Sequence, residues 1–121
     1  MPPRRPHADP LTRPRPAPAQ SGGAVVLSCE HAGNDVPEAY RHLFAAEPAV
    51  LRTHRGYDVG IAPLARRVSE VLGVPLLACP FSRLLVDPNR SLHHPRLFSP
   101  FSRSLPPAER AWLIDHVWRP H

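Results

Sequence analysis

At 121 residues the chain has room for one domain with a real core and lies near the lower limit for an enzyme. Its apolar fraction of 42% is that of an ordinary globular protein, and no apolar run is long enough to span a bilayer, which excludes a helical membrane protein. The formal charge of +5 rests on fifteen arginines and no lysine; residues 1–22 supply +3 of it, and the remaining +2 or so argues against a nucleic-acid partner.

In chain order, residues 1–22 come first and hold seven prolines between positions 2 and 18. Proline removes backbone donors and fixes φ, and the segment has too few apolar groups to offset the entropy of ordering. It is predicted to be a disordered Pro/Arg-rich tail, ahead of a domain over residues 23–121. It has no apolar core of a secretory signal, which leaves the cytoplasm as the default location.

The run AVVLSC, residues 24–29, reads as a buried strand. PEAYRHLFAAEPAVLR, from Pro37, carries helix-start signals and a break at Pro48. DVGIAPLARRVSEVLGVP sets Val59, Leu64, Val68 and Val71/Leu72 on one helical face and ends at Gly73 and Pro75. VPLLACPFSRLLVD reads as one or two strands interrupted near Pro80, and PPAERAWLIDHVWRPH as an amphipathic helix begun by Pro106 and Pro107. Strand, helix, strand, helix implies an α/β fold with crossover connections. Cys29 and Cys79 lie in apolar segments, where buried free thiols are the simpler reading.

Ligands of α/β sheets gather at the carboxyl ends of strands, and there the sequence reads Glu30-His31-Ala32-Gly33-Asn34-Asp35. An imidazole with Glu30, Asp35 and the more distant Asp58 nearby suits a divalent metal such as zinc. Helix capping by His31, Asp35 or Asp58 is the alternative. In SRLLVDPNRSLHH, the exit from an apolar run carries Asp87, Asn89 and Arg90. The arginine can grip a carboxylate, Asn89 can add a hydrogen bond and Asp87 can orient either; the alternative is an Asx turn with a solvated arginine. Adjacent His93 and His94 point in different directions on an extended chain and make a poor metal pair. Neither a GxSxG elbow nor a phosphate-binding glycine loop is present.

Taken together, SCEHAGNDVP, HRGYDVGI, SRLLVDPNRSLHHPRLFS and LPPAERAWLIDHVWRP, in that order over residues 24–121, resemble the N-formylglutamate amidohydrolase family. The resemblance implies kinship with zinc carboxypeptidases and aspartoacylase-like enzymes. It implies a phosphorylase/hydrolase-like three-layer α/β/α fold with a mainly parallel sheet, incomplete at its C-terminus. It also implies Zn2+ or another divalent metal held by His31 and by Asp58 or, less favoured, Asp35. Asn89 and Arg90 would hold a substrate carboxylate, with Arg83 a second cation in the cleft. The substrate would be an N-acyl acidic amino acid, such as an N-formyl one, or a similar small amide. The second histidine ligand and a general-base carboxylate belong to a part of the family pattern that follows His121, so no catalytic base is assigned. A silent fragment that binds a carboxylate ligand or a partner chain is the competing reading.

Removal of residues 1–22 is expected to leave the thermal midpoint nearly unchanged. A cooperative loss of structure in a melt of the shortened chain would show instead that the segment packs on the domain.

Overall fold

A computed structural model describes residues 23–121; the expected disordered tail lies outside the described residues. Strand β1, Leu27–Cys29, pairs in parallel with β2, Leu76–Ala78, with Leu27 opposite Leu76 and Cys29 opposite Ala78. Between them run two 3-10 helices, Glu38–Phe44 and Pro48–Arg52, and helix α1, Ile61–Leu72. After β2 comes a long irregular stretch, then α2, Pro107–Leu113, which passes into a π-helical turn over Ile114–Trp118. The chain is thus α/β with a small parallel sheet.

Helix α1 follows from local chemistry. Gly60 and Gly73 bracket it in left-handed conformations, φ 83° and 64°, which glycine adopts without the Cβ penalty. The helix lies against both strands, yet no residue in it is buried; Leu64, Val68, Val71 and Leu72 remain exposed. The helix begins at Ile61, after Asp58 as the sequence implied, because Gly60 is the residue that can take the left-handed turn there, and Val59 falls outside it.

Three further expectations are corrected. Val25 and Val26 are exposed and precede the strand, so the buried part of AVVLSC reduces to Cys29. The segment after Pro37 forms 3-10 turns separated at Pro48, which cannot donate the helical bond a continuous helix requires. Leu84, Leu85 and Val86 are buried, Leu85 and Val86 completely, yet they form no strand. A buried backbone without a ladder must find other partners. Here the carbonyls of Leu84 and Leu85 accept from the hydroxyl of buried Ser102, that of Leu84 also from Ser99 Oγ, and Leu85 N–H donates to Ser82 O. Cys29 and Cys79 are free thiols.

The core surrounds this turn: Tyr40, Phe44 and Val50 from the 3-10 helices, Cys79, Leu97, Leu105, and Leu113 and Val117 from the last helical segment. Gly56 ties the loop before α1 to it, accepting at its carbonyl from Arg83 N–H at 3.3 Å and Ser82 Oγ at 2.9 Å. A Cβ on Gly56 would collide with the carbonyl of Leu51. Gly56→Ala is therefore expected to lower stability by about 1–3 kcal/mol, the usual cost of overpacking, measured by denaturant unfolding; an unchanged midpoint would show that the loop can yield.

Candidate functional site

The tip of β1 delivers His31, and the loop before α1 delivers Asp58, whose N–H donates to the His31 carbonyl at 3.0 Å. The buried turn ends at Asp87, whose own N–H is held by Leu97 O at 2.9 Å. These three side chains meet. Nε2 of His31 is 2.7 Å from Asp87 Oδ1, and Nδ1 is 3.3 Å from Asp58 Oδ2.

The two sides of the imidazole differ. The Asp87 side is buried and short, a charge-assisted hydrogen bond at its proper length. The Asp58 side is longer, and the carboxylate there is 51% exposed. Arg83 reaches both acids, at 3.7 Å from Asp58 Oδ1 and 3.3 Å from Asp87 Oδ2, and Arg90 Nε is 3.7 Å from Asp87 Oδ2. Asp87 Oδ1 also accepts the N–H of Asn89 at 3.0 Å, closing an Asx turn. The turn and the orienting role are both realised in one carboxylate.

The electrostatics follow from these contacts. The hydrogen bond that His31 donates to Asp87, together with the Asp87 charge, raises the His31 pKa above the ordinary imidazole value, against burial and the Arg83 charge. Burial alone would raise the Asp87 carboxyl. Hydrogen bonds from His31 and the Asn89 amide, with the charges of His31 and Arg83, outweigh burial and hold it below the usual carboxylate value.

A cavity of about 290 Å³ opens beside Asp87, lined by His54, Arg55, Arg83, Leu84, Arg90, Arg96 and Ser99 among others. Arg83 and Arg90 thus face it. The Asn89 side chain is exposed and is not part of that lining. Trp118 Nε1 donates to the Arg90 carbonyl at 2.8 Å, fixing the backbone of the loop from the far end of the chain.

Asp35 does not join the cluster. Its backbone bridges to Phe81, and its exposed side chain borders depressions lined by Arg41 and Arg66 instead. Glu30 turns to Ser28 Oγ at 2.6 Å and to His121 Nε2 at 3.5 Å. His94 lies 3.2 Å from Arg90 Nη1 and accepts Arg96 N–H at Nδ1, which commits its ring to this loop. Asp58 makes no side-chain cap on α1.

The donor set fits part of a zinc site. Two zinc ligands at about 2.0–2.1 Å in tetrahedral geometry stand about 3.3 Å apart, which matches the His31 Nδ1 to Asp58 Oδ2 separation of 3.3 Å. The opposite ring nitrogen is held by a buried carboxylate, the arrangement that orients histidine ligands of metals. Among the described residues no group of three or more histidine, cysteine or carboxylate side chains stands ready for a metal. No helix there is long and apolar enough to cross a membrane.

Comparison with known proteins gives the following. The family model described as N-formylglutamate amidohydrolase matches residues 23–121. The fold is similar to the crystal structure of a gene product of Agrobacterium tumefaciens, with a TM-score of 0.69 and 32% identity over 78% of this chain. The chain spans 41% of that protein's length. A search of curated proteins returned no match.

The sign of the pH dependence follows from the pair. His31 titrates higher in the folded chain than unfolded, so its contribution is complete below its unfolded value of about 6.5 and fades as pH rises through the folded value. Asp87 titrates lower when folded, so its contribution is complete above about 3.9 and fades as pH falls through the folded value. The metal-free chain is expected to melt highest between about pH 4 and 6.5. Asp87→Asn should flatten the decline on the alkaline side. Parallel curves for the two proteins would show that the pair does not set it.

Proposed function

We propose, from the premise that the chain belongs to the N-formylglutamate amidohydrolase family, that it carries the first part of a metal-assisted amidohydrolase site for a small N-acyl acidic amino acid or a related amide. The observation that carries this reading is His31 suspended between buried Asp87 at 2.7 Å and exposed Asp58 at 3.3 Å. His31 Nδ1 and Asp58 would hold the ion. Zinc, when bound there, supplies Lewis acidity for an amide carbonyl and for the attacking water.

The remaining steps belong to the chain's own side chains. Asp87 takes the Nε2–H of His31, which fixes the tautomer and leaves the Nδ1 lone pair toward Asp58 and solvent. Arg90 offers its free guanidinium edge to a substrate carboxylate, and Trp118 holds that residue's backbone in place. Arg83, spanning Asp58 and Asp87, keeps the two acids from repelling each other and adds positive charge to the cavity wall. Anchoring the carboxylate sets the amide near His31, where orientation contributes to rate.

The reading includes a three-layer α/β/α architecture, supported by the apolar face that α1 leaves exposed. It also places the protein in the cytoplasm, in keeping with two free thiols. A silent carboxylate binder is the second reading, favoured by the lack of a third metal donor among the described residues.

Release of formate from N-formyl-L-glutamate, with and without chelator, separates the two. The chain alone should stay at background, because two donors hold zinc weakly. A chimera joining residues 23–121 to the complementary part of the Agrobacterium protein should show chelator-sensitive turnover that His31→Ala abolishes. Asp87→Asn in the chimera should weaken zinc binding about 10–100-fold. A folded chimera without turnover would favour the silent binder.

A further inference from the structure

A second cavity, of about 160 Å³, lies between the end of β2 and the last helical segment, and it shares no lining residue with the one beside Asp87. Its walls are mostly apolar, with Leu77, Phe81, Val117 and Pro120 and the thiol of Cys79 among them. Burial pushes the Cys79 pKa up, so that wall stays uncharged at neutral pH. Cavities of about 150 Å³ walled by apolar side chains admit benzene. The space therefore suits a molecule about the size of one six-membered ring.

The exception in the wall is His121. Its side chain is only 8% exposed, and neither ring nitrogen has a hydrogen-bond partner among the described residues. Nε2 lies 3.5 Å from a carboxylate oxygen of Glu30, which itself accepts from Ser28 Oγ at 2.6 Å. Nδ1 faces no polar partner. A polar group buried in this way costs stability until something binds it. His116, the other imidazole of the wall, is exposed and its Nδ1 is committed to the Trp112 carbonyl at 2.9 Å. It makes no comparable demand.

The chemistry of the His121 ring selects the ligand. With Nε2–H turned to the Glu30 carboxylate, Nδ1 is a lone pair that needs a donor; on the protonated ring Nδ1 is itself a donor and needs an acceptor. A hydroxyl meets both conditions. A carboxylate would bring a second negative charge to an imidazole that already faces Glu30, and an ammonium has no lone pair to offer the protonated ring. We propose that this cavity binds a small uncharged hydroxyl compound of about the size of phenol, its apolar body against Leu77, Phe81 and Val117 and its hydroxyl on the His121 ring. The site is independent of the amidohydrolase reading, since none of its residues belongs to the His31 cluster.

Titration of the 121-residue chain with phenol and with toluene, followed by NMR of methyl and histidine ring signals, tests it, because the probes match in size and differ in the hydroxyl. Phenol is expected to shift the methyl signals of Leu77 and Val117 and the ring-nitrogen signals of His121, saturating at millimolar concentration or below. Toluene should shift the same methyls and leave the ring nitrogens in place. In His121→Phe the ratio of phenol to toluene affinity should fall at least about fivefold, the effect of losing one hydrogen bond to a buried group. Toluene affinity should stay within about twofold, which also shows that the variant is folded. Arg67→Gln, on exposed α1 surface, should keep the ratio. An unchanged ratio in His121→Phe would overturn the proposal, and equal ring-nitrogen responses to both probes in the unaltered chain would do so without any variant. Shifts confined to Leu64 and Val68 would place the probes on the exposed face of α1 instead. Absence of a saturable shift at Leu77 and Val117 would leave the cavity to water and remove the site.

Discussion

A single buried carboxylate organises the molecule. Asp87 lies at the end of a turn with almost no contact with solvent, and it faces His31, Arg83, Arg90 and the amide of Asn89 at once. Removing an ionised carboxylate from water costs several kcal/mol, recovered only where geometry and additional hydrogen bonds are good. The surrounding contacts supply that geometry and hold the tip of β1 against the stretch from Arg83 to Arg90. His31 is the one partner of Asp87 from outside its own segment, so the tip of β1 and the DPNR turn are tied together, and the loop before α1 joins them through the contacts of Asp58 with His31 and Arg83. The serines beneath the turn serve the same end, because they occupy the carbonyls that a strand ladder would have satisfied.

Much of this was legible in the sequence, and the parts that were not share a cause. Helix α1 declared itself through its apolar period and its terminal glycine, both local signals. His31 and Arg90 stood out because charged or titratable residues at the ends of apolar runs need a reason to be there, whereas the choice of Asp58 as a ligand and of Arg83 as a second cation came from the family resemblance. The partner of His31 was hidden, since Asp87 reads equally well as the first residue of a turn, and a contact across 56 positions leaves no mark on spacing. Leu84 to Val86 misled because a short apolar run looks the same whether a neighbouring strand or a set of hydroxyls satisfies its backbone. Arg55 and Arg96 drew no notice in a chain whose basic residues are all arginine.

The distribution of burial is lopsided. The core gathers around the irregular turn and the last helical segment, while α1 and the paired strands contribute little to it. Parallel sheets are ordinarily covered on both faces, and strands of three residues bury few side chains. Asp87 and the Arg90 loop thus rest on the well-packed half. Asp58 is carried on a loop between the two halves, which fits its greater exposure.

The indole of Trp118 adds a consequence in time. Its bond to the Arg90 carbonyl closes a span of 28 residues, and the His31 to Asp87 bond closes one of 56. Contacts between distant parts of a chain form late, because the entropy of closing the loop is lost before any attraction is gained. As the polypeptide is made from its N-terminus, His31 and Asp87 exist well before Trp118 does. The histidine and its buried acid can meet while the arginine loop is still untethered, and the anion grip is assembled last.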